Sequence, residues 1–312
     1  MLVSSCHKKP KRYSWEPGIS APKYYPVAGT VDFGNAGNGS NTSFANGWGD
    51  DYGYVVGDKY KEIPKKVYID YYSVVDGKGF HGEVPLPEEK LKALFENSTE
   101  DSFIRLIVGM APGGWIRVWF ANFNDETEIA KAQLKGYEDD SVGEGLKTKN
   151  FETWGSTYIY WQHHGIPYEA WAENEKEYDI YFDFSKPNHR KVEYNDVSAD
   201  GTYGYGDGIG ERFDHKLPVE IALSWVGKPQ KQDVYCSKVL MPKNFKNYIE
   251  KKGLKSFRLR LEIEDNQEYA VLYFVSDKEK EKILRFRNKK PTAEEKKSSE
   301  YDYAPEIEYF IP

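Results

Sequence analysis

Phe257-Arg258-Leu259-Arg260-Leu261-Glu262-Ile263-Glu264 alternates apolar and charged side chains without a break. Successive side chains of a strand point to opposite faces, so these residues read as a strand with one buried and one wet face. Asp265-Asn266-Gln267-Glu268 reads as the turn that follows, and Tyr269 to Ser276 as the returning strand. Upstream, Met241-Pro242 leads into Phe245, Tyr248 and Ile249, spaced i, i+3, i+4 as one apolar stripe of a helix. Gly253 supplies the usual stop. Before that helix, Val219 to Trp225 reads as a strand entered from Pro218, and a second short strand follows it.

The same order occurs earlier in the chain. Lys66-Val67-Tyr68-Ile69-Asp70-Tyr71 answers Val219 to Trp225 at an offset of 152 residues. Leu91, Leu94 and Phe95 answer Phe245, Tyr248 and Ile249 at 154, in a helix that opens on Pro85-Leu86-Pro87 and stops near Asn97. Ile104, Leu106, Val108 and Met110 answer Phe257, Leu259, Leu261 and Ile263 at 153, with Ala111-Pro112-Gly113-Gly114 as the turn and Trp115 to Phe123 as the return. Each copy thus predicts strand, strand, helix, strand, strand. The expected fold class is α+β and β-rich: two tandem similar units, each largely of antiparallel strands with one helix packed on the sheet.

Weaker matches precede these elements. Trp15 pairs with Trp171, Val31-Asp32-Phe33 with Phe182-Asp183-Phe184, and Gly47-Trp48-Gly49-Asp50 with Gly204-Tyr205-Gly206-Asp207. Residues 1–14 read as a tether, 15–135 as the first unit, 136–152 as a linker and 153–288 as a second, diverged unit. Residues 289–312 read as a charged tail in which Ile307, Tyr309, Phe310 and Ile311 dock as a last strand. Asp125 to Leu134 reads as a short helix that extends the first copy.

The composition of the 312 residues limits the function. Mean hydropathy is −0.75, yet 16% of residues are aromatic, enough to build cores. The 25 tyrosines and 8 tryptophans favour β-structure. A net charge of −7 argues against nucleic acid as the main partner, because phosphate binding needs a basic surface. No run of 18 apolar residues occurs. Two cysteines, Cys6 and Cys236, are too few for a disulfide scaffold, and Cys236 in Val234-Tyr235-Cys236 reads as a buried thiol.

Taken in order, several motifs resemble the bacterial lipoprotein family catalogued as domain of unknown function 2931. They are Trp15, Pro22 and Tyr25-Pro26-Val27, then Gly47-Trp48-Gly49, then Tyr71-Tyr72-Ser73 with Lys78-Gly79-Phe80 and Gly82-Glu83. Leu86-Pro87 with Leu94-Phe95, and Val108-Gly109-Met110-Ala111-Pro112-Gly113-Gly114 with Val118-Trp119, complete the pattern. The likeness is strong over residues 15 to 135 and faint in the second copy. It implies an exported, lipid-anchored protein that is not an enzyme. By analogy with comparable lipoproteins, it extends to neutralising toxins delivered by neighbouring bacteria.

A search for chemistry returns little. Gly77-Lys78-Gly79-Phe80-His81-Gly82 has the glycine spacing of a nucleotide loop, but a strand follows it where a helix is needed, so it reads as a hairpin turn. His163-His164 reads as a strand pair facing opposite ways, unable to share one metal ion. The aspartates Asp50, Asp51, Asp58, Asp207 and Asp214 lie in Gly/Asn-rich segments where aspartate is an ordinary turn residue. No catalytic set, cofactor or metal site is expected. Asp140-Ser141-Val142 resembles an acceptor for O-glycosylation.

Two Gly/aromatic stretches remain, Gly34 to Asp58 and Thr202 to Phe213, and both read as long loops. Phe44, Trp48, Asp50 and Tyr52 in the first, with Tyr205 and Asp207 in the second, are the candidate ligand or partner surface. The alternative is that the rings fold back and cap the sheet. Leu2-Val3-Ser4-Ser5-Cys6 reads as the end of a bacterial lipoprotein signal, with Cys6 as the acylated thiol. The basic and most of the apolar region of such a signal do not precede it, so on this reading Met1 is not the natural start. The expected function is a lipid-anchored envelope protein that binds a protein partner, possible immunity to a toxin included; the alternative is a surface glycan binder using the aromatic loops.

Overall fold

The computed structural model describes residues 10–52, 57–99, 103–123, 125–184, 192–207, 212–214, 216–226, 234–266, 268–288 and 309–310. Cys6 lies outside them. The chain divides into two compact units, Met1–Tyr158 and Ile159–Pro312.

The first unit runs β1 (Tyr13–Ser14), β2 (Glu16–Ala21), β3 (Val27–Asp32), β4 (Asn38–Phe44), β5 (Gly47–Tyr52), β6 (Tyr60–Lys61), β7 (Lys66–Ser73), β8 (Lys78–Pro85), α1 (Glu88–Asn97), β9 (Arg105–Ala111), β10 (Trp115–Ala121), β11 (Glu126–Gln133) and β12 (Lys135–Tyr137). Short helices α2 (Glu144–Lys147), α3 (Phe151–Trp154), α4 (Ser156–His164) and α5 (Tyr168–Ala172) follow, α4 crossing the boundary between units. The second unit continues β13 (Asp179–Phe184), β14 (Val192–Ser198), β15 (Tyr203–Asp207), β16 (Arg212–Asp214), β17 (Pro218–Val226), β18 (Val234–Leu240), α6 (Phe245–Lys252), β19 (Ser256–Ile263), β20 (Tyr269–Val275), β21 (Lys280–Arg287) and β22 (Tyr309–Phe310).

Both predicted copies of strand, strand, helix, strand, strand are present: β7, β8, α1, β9, β10 and β17, β18, α6, β19, β20. The two hairpins of a copy do not share one layer. In the first unit β9 and β10 belong to the sheet β11-β10-β9-β2-β5, and β7 and β8 to the sheet β12-β8-β7-β3-β4. In the second unit the sheets are β16-β13-β19-β20-β21 and β15-β14-β17-β18-β22, the same neighbours strand for strand. Most pairs are antiparallel. The exceptions are β2 with β9, β13 with β19, and the terminal strand β22 with β18.

Each unit has one core, fed by the inward faces of both its sheets and by its helix. In the first, Ile19, Val108, Val118 and Ile129 from one sheet meet Val31, Ile69, Tyr71 and Phe80 from the other. Leu91 and Phe95 of α1 enter between them; Phe95 meets Phe120 edge-on at 5.1 Å and Trp15 at 6.5 Å. Phe245 and Ile249 of α6 do the same in the second core. Gly253, at φ 65°, ends α6 in the left-handed conformation that favours glycine.

The register corrects three sequence readings. Glu126 to Gln133 is strand β11, because the exposed edge of β10 supplies a partner for its backbone, outweighing helix propensity; Asn122 and Asp125 close the turn. Gly136 and Tyr137, assigned to the linker, form β12 and pair with Phe80 and Gly79. The weak leading matches also shift. Leu106 and Leu259 are equivalent and pair with Pro17 and Phe182, so Phe182 answers Pro17 and Ile180 answers Trp15. Trp171 sits on α5 instead. By sheet position β15 answers β4, so Gly204 to Asp207 does not answer Gly47 to Asp50.

Gly29 tests the packing of the first unit. It pairs with Tyr71, and a Cβ there would stand 2.5 Å from the Asp70 carbonyl oxygen and 2.6 Å from the Tyr71 Cα. These are backbone atoms of β7, and the Tyr71 Cβ beside them is fixed to that backbone, so Gly29→Ala should destabilise the protein by about 1–3 kcal/mol. Urea unfolding followed by tryptophan fluorescence reads the loss, and an unchanged midpoint would refute this account of β3 against β7.

Candidate functional site

Most of the stretch Gly34 to Asp58 is not a loop. It forms β4 and β5, the edge strands of two different sheets. The buried Ser20 hydroxyl donates to the Gly47 carbonyl at 2.7 Å and accepts from the Gly49 N–H at 2.9 Å, fixing the start of β5. Phe44 and Trp48 are therefore not surface groups; each is 7% exposed. Trp48 meets Trp119 edge-on at 5.1 Å, and both rings lie over Gly109, where a Cβ would stand 2.5 Å from Trp119 and 2.7 Å from Trp48. Phe44 stacks on Tyr52 at 5.6 Å. Of the four candidates only Asp50 and Tyr52 reach solvent. Partial burial pushes the Asp50 carboxyl up, against the opposing pull of Lys23. Tyr205 and Asp207 lie on β15, in the other unit, where their backbones pair with Asn195 and Glu193.

Next to Asp50 stands Asp51, which the sequence reads as an ordinary turn residue and the structure places in strand β5. Asp51 reaches across β2 to an ion pair with Arg105 on β9. It can do so because the strand it crosses carries Gly18 there; any Cβ on Gly18 would overlap the Asp51 carboxylate. The Arg105 guanidinium lies 5.0 Å from the ring of Phe103, which stacks on Phe123 at 5.6 Å and 28°. Phe103 and Phe123 stand directly opposite in the continued β9–β10 register, and they are 49% and 72% exposed. Phe103 has φ 48°, a left-handed conformation that costs a bulky residue of order 1–2 kcal/mol. That strain is not offset by burial, since the ring faces solvent. The available signal was parity: Phe103 and Arg105 alternate with the core residues Ile104 and Leu106, which places them on the wet face.

The second unit holds buried charge. Asp200, in the turn between β14 and β15, accepts from the Ser198 hydroxyl at 2.7 Å, the Thr202 N–H at 2.9 Å and the Lys216 ammonium at 2.6 Å. Trp171 donates to the Asp200 carbonyl at 2.8 Å. Glu175 packs beside this turn with one carboxyl oxygen buried and unpartnered. Burial first, and then the Asp200 charge, push Glu175 up to about 7, against Lys216, a backbone bond from Asp200 and Lys246. Asp200 is saturated by its donors, so its carboxylate locks a turn and is not free for a substrate.

His163 and His164 are on the helix α4, not on a strand, with rings edge-on at 4.6 Å. A strand reading failed because neighbouring aromatic and β-branched residues hid the helix. His163 lies 3.4 Å from the Met241 carbonyl. Burial, then the neighbouring His163, bring His164 down to about 3, against a hydrogen bond to the Val219 backbone. Among the described residues no group of three or more His, Cys, Asp or Glu side chains could hold a metal ion. Gly77, at φ 68°, closes the β7–β8 hairpin as expected of a turn, and Cys236 is buried. Among the described residues no helix is long and apolar enough to cross a membrane.

The fold is thus a duplicated, β-rich α+β arrangement whose first half carries an exposed aromatic and arginine patch. Residues 4–169 match the family described as a protein of unknown function, DUF2931, and the chain belongs to that family. No curated protein and no solved structure matches it.

Glu175 and His164 give opposite pH dependences. Glu175, raised in the folded state, stabilises less as pH climbs from its unfolded value of 4.5 through about 7. His164, lowered in the folded state, costs stability as pH falls below its unfolded value of 6.5. Glu175→Gln should therefore gain of order 2 kcal/mol over wild type on going from pH 5 to pH 8, and His164→Gln should gain a similar amount from pH 7 to pH 5. Urea denaturation at each pH measures both; parallel wild-type and variant curves would refute the assignments.

Proposed function

We propose that this chain is a non-catalytic, exported protein that grips another protein, held to the bacterial envelope by a lipid on Cys6. The observation that carries the binding reading is the Phe103–Phe123 pair. Two stacked phenyl rings are held in solvent, one by a strained backbone, beside an arginine fixed by an ion pair. Aromatic and arginine side chains dominate the energetic centres of protein interfaces, because they bury large area with little loss of freedom. Arg105 is held in place before binding, so little ordering is left for the complex. Asp51 borders the same patch through its ion pair with Arg105, and the net charge of −7 suits a basic partner.

The attachment reading is supported by Leu2-Val3-Ser4-Ser5-Cys6, and with it we propose the periplasmic face or the outer membrane as the location. The specific role we infer is neutralisation of a toxin delivered by a neighbouring cell, for which a surface binder tied to the envelope is well placed.

Two experiments test these parts separately. A photoreactive phenylalanine at position 123 should crosslink the full-length protein to a single envelope or toxin partner in cells. Phe103→Ala should weaken that partner about thirtyfold, the effect of removing an interface anchor of about 2 kcal/mol. A crosslink indifferent to Phe103 and Arg105 would sink the binding site. For the anchor, the gene with its own leader should yield protein in the detergent phase of a phase split, and Cys6→Ser should move it to the aqueous phase. Wild-type protein already in the aqueous phase would remove the lipid claim.

A further inference from the structure

The duplication allows the aromatic patch of the first unit to be located on the second. Phe103 answers Ser256, Arg105 answers Arg258, and Phe123 answers Asp277 by the offsets that align the paired strands. Ser256 and Asp277 fall opposite one another when the β19–β20 register is continued past its last pair, as Phe103 and Phe123 do in the continued β9–β10 register. The arginine is kept and again paired, here with Asp183 at 3.2 Å. The two large rings are gone. In their place is a cleft of about 570 Å³, within the size range of small-molecule sites, between the end of α6, the start of β19 and the turn after β20.

We propose that this cleft binds a short, neutral saccharide. Its floor is apolar, with Phe257 buried and Leu254 beside it. Tyr181 stands on its wall with the ring 38% exposed and the Arg258 guanidinium 5.8 Å from the centroid. A flat, partly open ring suits the C–H face of a pyranose. The polar groups carry both signs and hold one another in place. Lys252 donates to Glu279 at 2.8 Å and to Glu281 at 2.6 Å, while Tyr248 donates to the same Glu281 at 2.7 Å. The β20–β21 turn is closed by the Ser276 N–H on the Glu279 carbonyl at 2.9 Å.

These contacts decide the ligand class. An anion would need uncompensated cations, but Lys252 and Arg258 are already matched by Glu279, Glu281 and Asp183. A cation would need a surplus of carboxylates, whereas Asp277 and Lys278 on the rim add one charge of each sign. What remains is a set of fixed donors next to fixed acceptors, together with Ser256 and Ser276. Sugar hydroxyls donate and accept at once, and so match such a set without needing a net field. The site is independent of the protein-binding patch: it lies in the other unit and uses different residues.

Saturation-transfer NMR on the full chain tests the proposal, with maltotriose, cellotriose, mannotriose and triacetylchitotriose as probes and sialyllactose as an anionic control. At least one neutral trisaccharide should receive saturation. Tyr181→Ala should weaken it about tenfold, Tyr181→Phe should keep it, and Asp277→Phe, which restores a ring of the first unit, should abolish it. Tyr68→Ala, an exposed tyrosine of the other unit, should leave it unchanged. Thermal unfolding of each variant checks that the fold is retained. No transfer to any of the four neutral probes, transfer only to sialyllactose, or equal transfer in Tyr181→Ala would overturn the proposal.

Discussion

Each unit depends on one parallel strand pair at the heart of a sheet. β2 lies between β9 and β5, although Glu16 and its partner Arg105 are 89 residues apart in the chain. β13 occupies the same place between β19 and β16. Without that insertion, β9, β10 and β11 would form a three-stranded meander and β5 would have no sheet to join. A parallel pair needs a long connection, and here the intervening strands form the second sheet while the helix returns the chain to the first. The helix therefore packs on the core by one stripe, and its Leu91 and Phe95 must be apolar whatever the function requires. Such a pairing closes a long loop before its contacts help, so it belongs to the slow part of folding.

The functional geometry follows from the same insertion. Because β2 separates β5 from β9, an acidic group on β5 can meet Arg105 only by crossing β2. Gly18 is the position that permits it, since a side chain there would displace Asp51. The patch is thus not an accident of exposed loops. It is a diagonal across three strands, from Asp51 over Gly18 to Arg105, ending on the Phe103–Phe123 pair.

How much of this was readable follows from the range of the interactions involved. Local patterns carried far: the alternation of 257–264, the i, i+3, i+4 stripes of both helices, and the turn at Ala111–Gly114 all fall where the sequence puts them. Long-range pairing did not show. Nothing in Glu16 to Ala21 announces a parallel partner 89 residues on, and nothing in Glu126 to Gln133 announces the free edge that overrides its helical composition. The candidate site was half legible for the same reason. Gly47 to Tyr52 was marked by its aromatic and acidic residues, but whether Trp48 faces in or out depends on Gly109 of β9, a strand remote in sequence. Phe103 and Arg105 were legible as wet-face residues by parity, yet a lone surface phenylalanine carries no signal until Phe123 is seen against it.

A duplicated fold keeps what the core needs and frees what the surface shows. Phe95 and Ile249, Phe120 and Phe274, and Leu106 and Leu259 are equivalent, and all are buried. At the rim of the same sheet the constraint ends, and only the arginine persists: Arg105 and Arg258 each keep a carboxylate, but from different strands, Asp51 of β5 and Asp183 of β13. The change of partner has a physical consequence. Asp51 reaches Arg105 across β2, whereas Asp183 lies on β13, which pairs directly with β19, and there it also binds Arg260 at 2.7 Å. Replacing two phenyl rings by Ser256 and Asp277 then removes bulk without disturbing the strands, because both positions lie beyond the last β19–β20 pair and are exposed. One framework therefore supports a convex aromatic surface in one unit and a concave polar cleft in the other, and the difference rests on side chains to which the core is indifferent.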